Sequence, residues 1–362
     1  MVIPGPGVSL NGEGDNFIHE DDTILVTGGN GFIGSRVVST LLSYGFKRVR
    51  CLTRSTGKSG FLESVVKRCN QAGLEIVNGN LLSRKSCLIA AQGVSVVYHL
   101  AAGVDKTFAG CFMNSAVTTR NILDAVAEEP KLKRFVNVSS MAVYSNGKMQ
   151  RGELLDESCE VEADLVGRYE PYVYGKSKQD ELVLEYARTR GLPYVLLRPG
   201  VVFGPGKAQL TGRVGINTFG VFLHLGLNNI IPLTYVDNCA EAIVLAGLRK
   251  GIEGEVINLV DDDLPRSREF LNLYRSRVRD FQSIPVSYQL FYFLCTLWEK
   301  YSKWSEGQLP PVFNRKYCET YWKGNTYSNC KAKKLLGWYP RVRMDESLHK
   351  FFEYAREAKA PR

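Results

Sequence analysis

The chain has 362 residues, 44% of them hydrophobic, which suits one large domain or two intimate ones around a sizeable core. Its formal net charge is +9. The lysines and arginines are scattered and form no basic stripe interleaved with aromatics, so no nucleic-acid partner is expected. An anionic small molecule, a dinucleotide or an anionic membrane surface fits the excess charge equally well. The nine cysteines include no Cys-x-x-Cys pair, and the four histidines lie far apart. That pattern argues against a disulfide framework and a zinc site, so no metal is expected, and it suits a reducing, cytoplasmic setting.

Residues 1–20 are rich in Gly, Pro, Asn and acidic side chains. They lack the basic start and apolar core of a signal peptide, so a flexible tail is expected there. No apolar run reaches the roughly 20 residues that a membrane-spanning helix needs.

The first organised stretch runs from Thr23 to Arg36. Ile24, Leu25 and Val26 read as a buried strand. Gly28, Gly31 and Gly34 follow at fixed spacing, and Val37, Val38, Leu41 and Leu42 continue at helical spacing. A strand, a tight glycine turn and a helix N-terminus make a cradle for a pyrophosphate. Asn30, Phe32 and Ile33 complete the loop and are expected to line the cofactor.

A second strand, 49–54, ends at Thr53 and Arg54, with Lys58 beyond. A carboxylate at this strand end selects NAD, whereas a basic residue favours the 2′-phosphate of NADP. NADP is therefore the favoured cofactor, with NAD as the alternative. A third strand opens at Leu74 and runs into a loop where Asn80 and Leu81 would flank the adenine. A fourth, from Val96, ends in Ala101 and Ala102, small enough to let the cofactor pass close. His99 alternates with core residues in that strand and reads as structural. A helix over 114–126 precedes a fifth strand from Arg134, which ends at Ser139 and Ser140. This alternation predicts an α/β fold: a doubly wound, Rossmann-type parallel sheet with a crevice at the carboxyl ends of its strands.

Tyr172-Val-Tyr-Gly-Lys-Ser-Lys178 opens the next helix. Tyr174 and Lys178 are four apart and share a face, a spacing that suits proton transfer. A free tyrosine titrates near roughly 10, and a neighbouring ammonium lowers that value. The same lysine can also hold the nicotinamide ribose, with Ser140 orienting the substrate oxygen. Tyr172 and Lys176 have identical spacing and form a rival pair. Tyr174 and Lys178 are preferred, because Tyr172 follows Pro171 at the helix entry.

With these pieces in place the chain resembles the extended short-chain dehydrogenase/reductase family. The resemblance rests on Thr27-Gly-Gly-Asn-Gly-Phe-Ile-Gly34, Tyr98-His-Leu-Ala-Ala102, Ser139-Ser140, Tyr174-Gly-Lys-Ser-Lys178 and Leu197-Arg-Pro-Gly-Val-Val-Phe-Gly-Pro205, in the family's order. It implies a Rossmann domain over 21–200 and a smaller mixed α/β substrate domain over 201–362, with parts of 230–262 returning to the sheet. It also implies a Ser140–Tyr174–Lys178 triad and a nicotinamide pocket lined by Pro199 and Val201. A homodimer through the helices 114–126 and 174–188 is implied as well.

The family hosts dehydrogenases, reductases, epimerases and dehydratases. Met141 and Ala142 stand where the resemblance places a dehydratase's Asp-Glu pair. The run before Val236 and Asp237 lacks the arginine that grips a diphosphate in sugar-nucleotide epimerases, although Lys207 or Arg213 could replace it. Asp237 itself reads as a brace for the helix it begins. In 284–304, Leu290, Leu294, Leu297, Tyr301 and Trp304 recur at helical spacing. That stripe reads as a helix face packed on the substrate domain, as an apolar cover over a bulky substrate, or as a peripheral membrane contact. The segment and the Pro310-Pro311 turn resemble the hydroxysteroid-dehydrogenase-like branch. The leading expectation is therefore an NAD(P)-dependent oxidoreductase acting on a secondary alcohol or ketone of a sterol- or lipid-like small molecule. A nucleotide-sugar 4-epimerase with tightly held NAD is the alternative, and a non-catalytic dinucleotide-binding protein is a third.

Overall fold

The computed structural model describes residues 17–54, 62, 65, 73–218, 220–306 and 308–359. Most of the expected tail, and Lys58, lie outside the described residues. The end of that tail is packed rather than loose. Ile18 is buried, the Arg134 guanidinium lies over the Phe17 ring, and Lys133 Nζ donates to the Phe17 carbonyl.

Seven parallel strands form the main sheet. They are β1 (Thr23–Thr27), β2 (Val49–Thr53), β3 (Leu74–Asn78), β4 (Val94–His99), β5 (Arg134–Val138), β7 (Tyr194–Pro199) and β12 (Val256–Leu259), in the order β12-β7-β5-β4-β1-β2-β3. β4 and β5 are buried along their whole length, as parallel strands covered on both faces must be. Strand order reverses between β1 and β4, so the crevice for a ligand opens there.

The helices are α1 (Gly34–Ser43), α2 (Arg84–Ala91), α3 (Thr118–Ala127), α4 (Pro171–Arg190), α5 (Val236–Leu248), α6 (Ser267–Arg277), α7 (Tyr288–Trp304), α8 (Arg315–Trp322), α9 (Cys330–Leu336) and α10 (Met344–Lys359). The helix expected over 114–126 starts earlier, with a turn at Phe108–Cys111 and a π-helical stretch at Phe112–Val117 that leads into α3. In that stretch Ser115 Oγ accepts from the Gly103 N–H. Gly175 of α4 lies so close that a Cβ would come within 2.9 Å of Ser115 Oγ.

Smaller sheets build the second lobe. β8 (Val201–Phe203) pairs with β11 (Leu233–Tyr235), β10 (Val221–His224) lies between β9 (Gly215–Thr218) and β13 (Ser283–Pro285), and β6 (Leu154–Leu155) pairs with β14 (Thr326–Tyr327). The stretch expected to be helical from 284 therefore begins as a strand. The helix starts at Tyr288, where Ser287 Oγ caps the Leu290 N–H. Asp237, in the first turn of α5, pairs with Arg36 Nε of α1 at 3.3 Å and braces the two helices against each other.

Candidate active site

Three glycines shape the turn between β1 and α1. Gly28 has φ +71°, and a Cβ there would lie 2.9 Å from the Ala101 nitrogen. A Cβ on Gly34 would lie 2.1 Å from the Gly28 carbonyl oxygen, so only glycine lets the helix start against the turn. No side chain caps α1, and its first turn holds no acidic residue. The Ser35 and Arg36 N–H groups already donate to the Gly31 and Ile33 carbonyls, so what the helix start offers an anion is its positive dipole end.

The other residues expected to meet the cofactor lie at or just beyond the ends of β2, β3, β4 and β7. Thr53, at the end of β2, is 5% exposed and its hydroxyl has no partner, as a position awaiting a sugar hydroxyl would be. Arg54 follows it and is exposed. Asn80 Oδ1 accepts from the Leu82 N–H, and the Leu81 carbonyl accepts from Asn121 Nδ2 of α3, so this loop has a fixed shape. The Ala101 carbonyl accepts from Gln179 Nε2, and Ala102 is half-buried beside it. Pro199 ends β7, and the Val201 N–H donates to the Pro232 carbonyl. The glycines, the uncapped helix start and the orphan Thr53 hydroxyl fit a dinucleotide.

Beneath them lies a polar layer. His99 is fully buried, with Nδ1 2.8 Å from Thr27 Oγ1 and Nε2 2.8 Å from Thr119 Oγ1. Burial, helped by the nearby Lys176 charge, pushes its pKa down to about 3, so it is a neutral structural group.

The structure surrounds the expected acid/base groups differently from the expectation. Ser140 ends the loop after β5, and its Oγ accepts from the Ala142 N–H. The tyrosine whose hydroxyl feels Ser140 is Tyr172. Tyr174 lies two residues on and points about 200° away around the helix. Its ring packs edge-on against Phe108, 5.4 Å between centroids, and also meets Phe112. Lys178 Nζ sits 5.9 Å from the centroid of the Tyr174 ring and donates to Glu181 at 2.6 Å, in a solvated pair. The preferred pair is therefore turned away from Ser140, and the rival pair faces it.

Lys176 is 4% exposed, and its Nζ donates to the Val138 carbonyl at 2.6 Å, directly before Ser139 and Ser140. Burial lowers its pKa to about 8, with the Asp180 carboxylate resisting the shift. Tyr172 is pushed above the usual tyrosine value by burial, and the Ser140 hydroxyl opposes this. A neutral phenol next to a serine hydroxyl can donate a proton to a substrate oxygen.

Asp180 and Arg198 were not legible as site residues. Asp180, one turn beyond Lys176, accepts from Ser139 Oγ at 2.8 Å, Asn137 Nδ2 at 3.1 Å and Arg198 Nη2 at 3.3 Å. Arg198 also stacks over Tyr144, 4.7 Å from the ring centroid. The available signal was a Lys-x-x-x-Asp step on one helix face.

The stripe on α7 is also placed differently. Leu290, Phe293, Leu294, Leu297, Tyr301 and Trp304 are exposed, while Phe291, Cys295 and Ser302 are buried. The buried face packs with Cys318 and Trp322 of α8. Tyr317 and Tyr321, also on α8, lie beside Arg168, Glu170 and Arg213. One helix layer thus separates the exposed stripe from the loop that leads into α4. Among the described residues no helix is long and apolar enough to cross a membrane.

Comparison with known proteins places this geometry. The profile of the NAD dependent epimerase/dehydratase family matches residues 24–259. A trifunctional UDP-glucose 4,6-dehydratase/UDP-4-keto-6-deoxy-D-glucose 3,5-epimerase/UDP-4-keto-L-rhamnose-reductase of Arabidopsis thaliana is 24% identical over 94% of this chain. The chain spans about half the length of that relative, 48%. The solved UDP-glucuronic acid 4-epimerase from Bacillus cereus in complex with NAD superposes with a TM-score of 0.68, at 20% identity, over 93% of this chain and 99% of its own. The protein gox2253 gives 0.74 at 21% identity, over 94% and 100%. At such identity the likeness is one of fold.

Proposed function

This chain belongs to the NAD dependent epimerase/dehydratase family and is a nicotinamide-dependent enzyme, and from that premise we propose that it is a nucleotide-sugar 4-epimerase whose general acid/base is Tyr172. The observation that carries the chemistry is that Tyr172 feels the Ser140 hydroxyl, with Lys176 buried one turn further on and its Nζ on the Val138 carbonyl. Ser140 Oγ orients the reacting oxygen. Tyr172 in its phenolate form takes the hydroxyl proton as the carbon is oxidised, becoming the neutral phenol, and returns that proton when the carbonyl is reduced from the other face. The Lys176 ammonium favours the phenolate with which this exchange begins and ends. A bound nicotinamide supplies the hydride acceptor and then the donor.

The names of the relatives support the nucleotide-sugar class, since each of those activities is on a UDP-linked sugar. Met141 and Ala142, following Ser140, can neither give nor take a proton, which argues against dehydration. The apolar run on α7 gives weaker support to a lipid-like substrate, because its exposed face turns away from the α8 layer. Reduction of a ketone with NADPH remains the second reading, and it rests on Arg54 at the end of β2.

The test is to denature purified protein, identify the released nucleotide, and incubate the native enzyme with UDP-glucose and UDP-glucuronic acid. Near-stoichiometric NAD and inversion at C4 without net nicotinamide turnover are expected. Protein free of nucleotide, saturable NADPH binding and no inversion would overturn the epimerase reading in favour of a reductase.

A further inference from the structure

One apolar surface takes no part in the crevice. Leu290, Phe293, Leu294, Leu297, Tyr301 and Trp304 of α7 are all exposed, Phe293 by 57% and Trp304 by 77%. At 3.6 residues per turn they fall within an arc of about 100°. Leu309 and Val312, on the chain that returns beside the helix, are exposed as well. Trp298 Nε1 donates to the Pro310 carbonyl at 3.1 Å and Ser302 Oγ donates to the Leu309 carbonyl, which fixes that return. Beside the stripe lies a groove of about 330 Å³, lined among others by Phe291, Leu294, Cys295, Trp298 and Phe313. The opposite face of α7 is anchored, with Phe291 edge-on to Trp322 at 5.2 Å between centroids. Single exposed apolar side chains are ordinary, but a contiguous patch on a fixed helix marks a contact surface.

The charges around the patch point to what covers it. Lys300 borders the arc, and Lys303 lies about 60° further round. Both are exposed, and neither is paired with a carboxylate among the described residues. Glu299 is held by Arg315, from its backbone N–H and its Nε. Against Glu306 the two lysines leave this end of the helix positive, on a chain of net charge +9. The first turn of α7 holds no acidic residue. A second copy docked antiparallel on the stripe would set the lysines over that turn, and one docked parallel would set like end against like. An anionic lipid surface instead offers hydrocarbon to the stripe, phosphate to the lysines, and a polar–apolar boundary to Tyr301 and Trp304. We propose that α7 docks this protein on an anionic bilayer, lying flat in the headgroup layer. The inference stands apart from the proposed function, because the α8 layer separates this face from the loop that leads into α4.

The test is flotation of the full chain with vesicles of phosphatidylcholine alone and of phosphatidylcholine mixed with phosphatidylserine. Leu297→Glu and the double variant Lys300→Gln, Lys303→Gln are run beside it. All three side chains are exposed, so the fold should survive, and thermal melting checks that. The unaltered chain is expected to float with the anionic vesicles and far less with the neutral ones. Leu297→Glu should lose nearly all binding. The double lysine variant should bind the anionic vesicles about 25-fold more weakly, at roughly fivefold per lysine. No flotation of the unaltered chain, or flotation that Leu297→Glu leaves unchanged, would overturn the proposal. A dimer in sedimentation that Leu297→Glu dissolves and vesicles do not displace would also overturn it, and would give the stripe to a second copy. Should Leu297→Glu not fold, tryptophan emission of the unaltered protein decides. Trp322 and Trp338 are buried, so quenching by brominated lipid reports on Trp298 and Trp304. Quenching supports docking through α7, and its absence in floating protein contradicts it.

Discussion

Two tyrosine–lysine pairs of identical spacing open α4, and their surroundings differ in every respect that matters for chemistry. Tyr172 meets Ser140, and Lys176 is buried against the Val138 carbonyl. Tyr174 packs on Phe108 and Phe112, and Lys178 is tied to Glu181 in solvent. Spacing of four residues guarantees that a pair shares a helix face. It says nothing about which face is inside. What distinguishes the pairs is the strand end that each one meets.

Replacing the lysines gives the largest separation. Lys176→Met should lower kcat by about 10²-fold or more, because the phenolate loses the buried ammonium one turn away, whereas Lys178→Met should stay within a few-fold of the parent. Steady-state turnover at saturating substrate checks both, and equal losses would erase the distinction. A smaller effect should come from Asp180→Asn. Lys176 titrates at about 8 because burial lowers its pKa while Asp180 holds it up. The ammonium is the working form, so activity should fall as pH rises through that value. Without the Asp180 charge the ammonium is lost earlier, and the alkaline limb of kcat/KM should move to lower pH. A limb that stays fixed, or moves upward, would remove Asp180 from the Lys176 environment.

The two halves of the site were unequally legible in the sequence. The turn from β1 to α1 was readable because backbone geometry itself demands Gly28 and Gly34: one for its positive φ, the other for contact with the Gly28 carbonyl. The parallel sheet was readable because its buried strands are continuous apolar runs. The face of α4 was not. Besides Val173, Val183 and Tyr186 it buries Gly175, Lys176, Ser177, Gln179 and Asp180, so its inner side is largely polar and leaves only a weak apolar period to orient it. A similar ambiguity attends α7, which carries apolar residues on two faces, and only the packed-face alternative for its stripe is overturned. The more regular stripe, Leu290 to Trp304, is the exposed one. Asp180 and Arg198 were hidden for another reason. Their role depends on strand ends and helix turns meeting in space, from Asn137 to Arg198, and no local pattern announces that.

The most direct test compares Tyr172→Phe with Tyr174→Phe, each measured for turnover and for retained nucleotide. The account predicts that Tyr172→Phe keeps its nucleotide and loses about 10²- to 10⁴-fold in kcat, while Tyr174→Phe remains within a few-fold of the parent. Near-parental turnover by Tyr172→Phe together with collapse of Tyr174→Phe would contradict it, and would return the acid/base role to the tyrosine that faces Phe108.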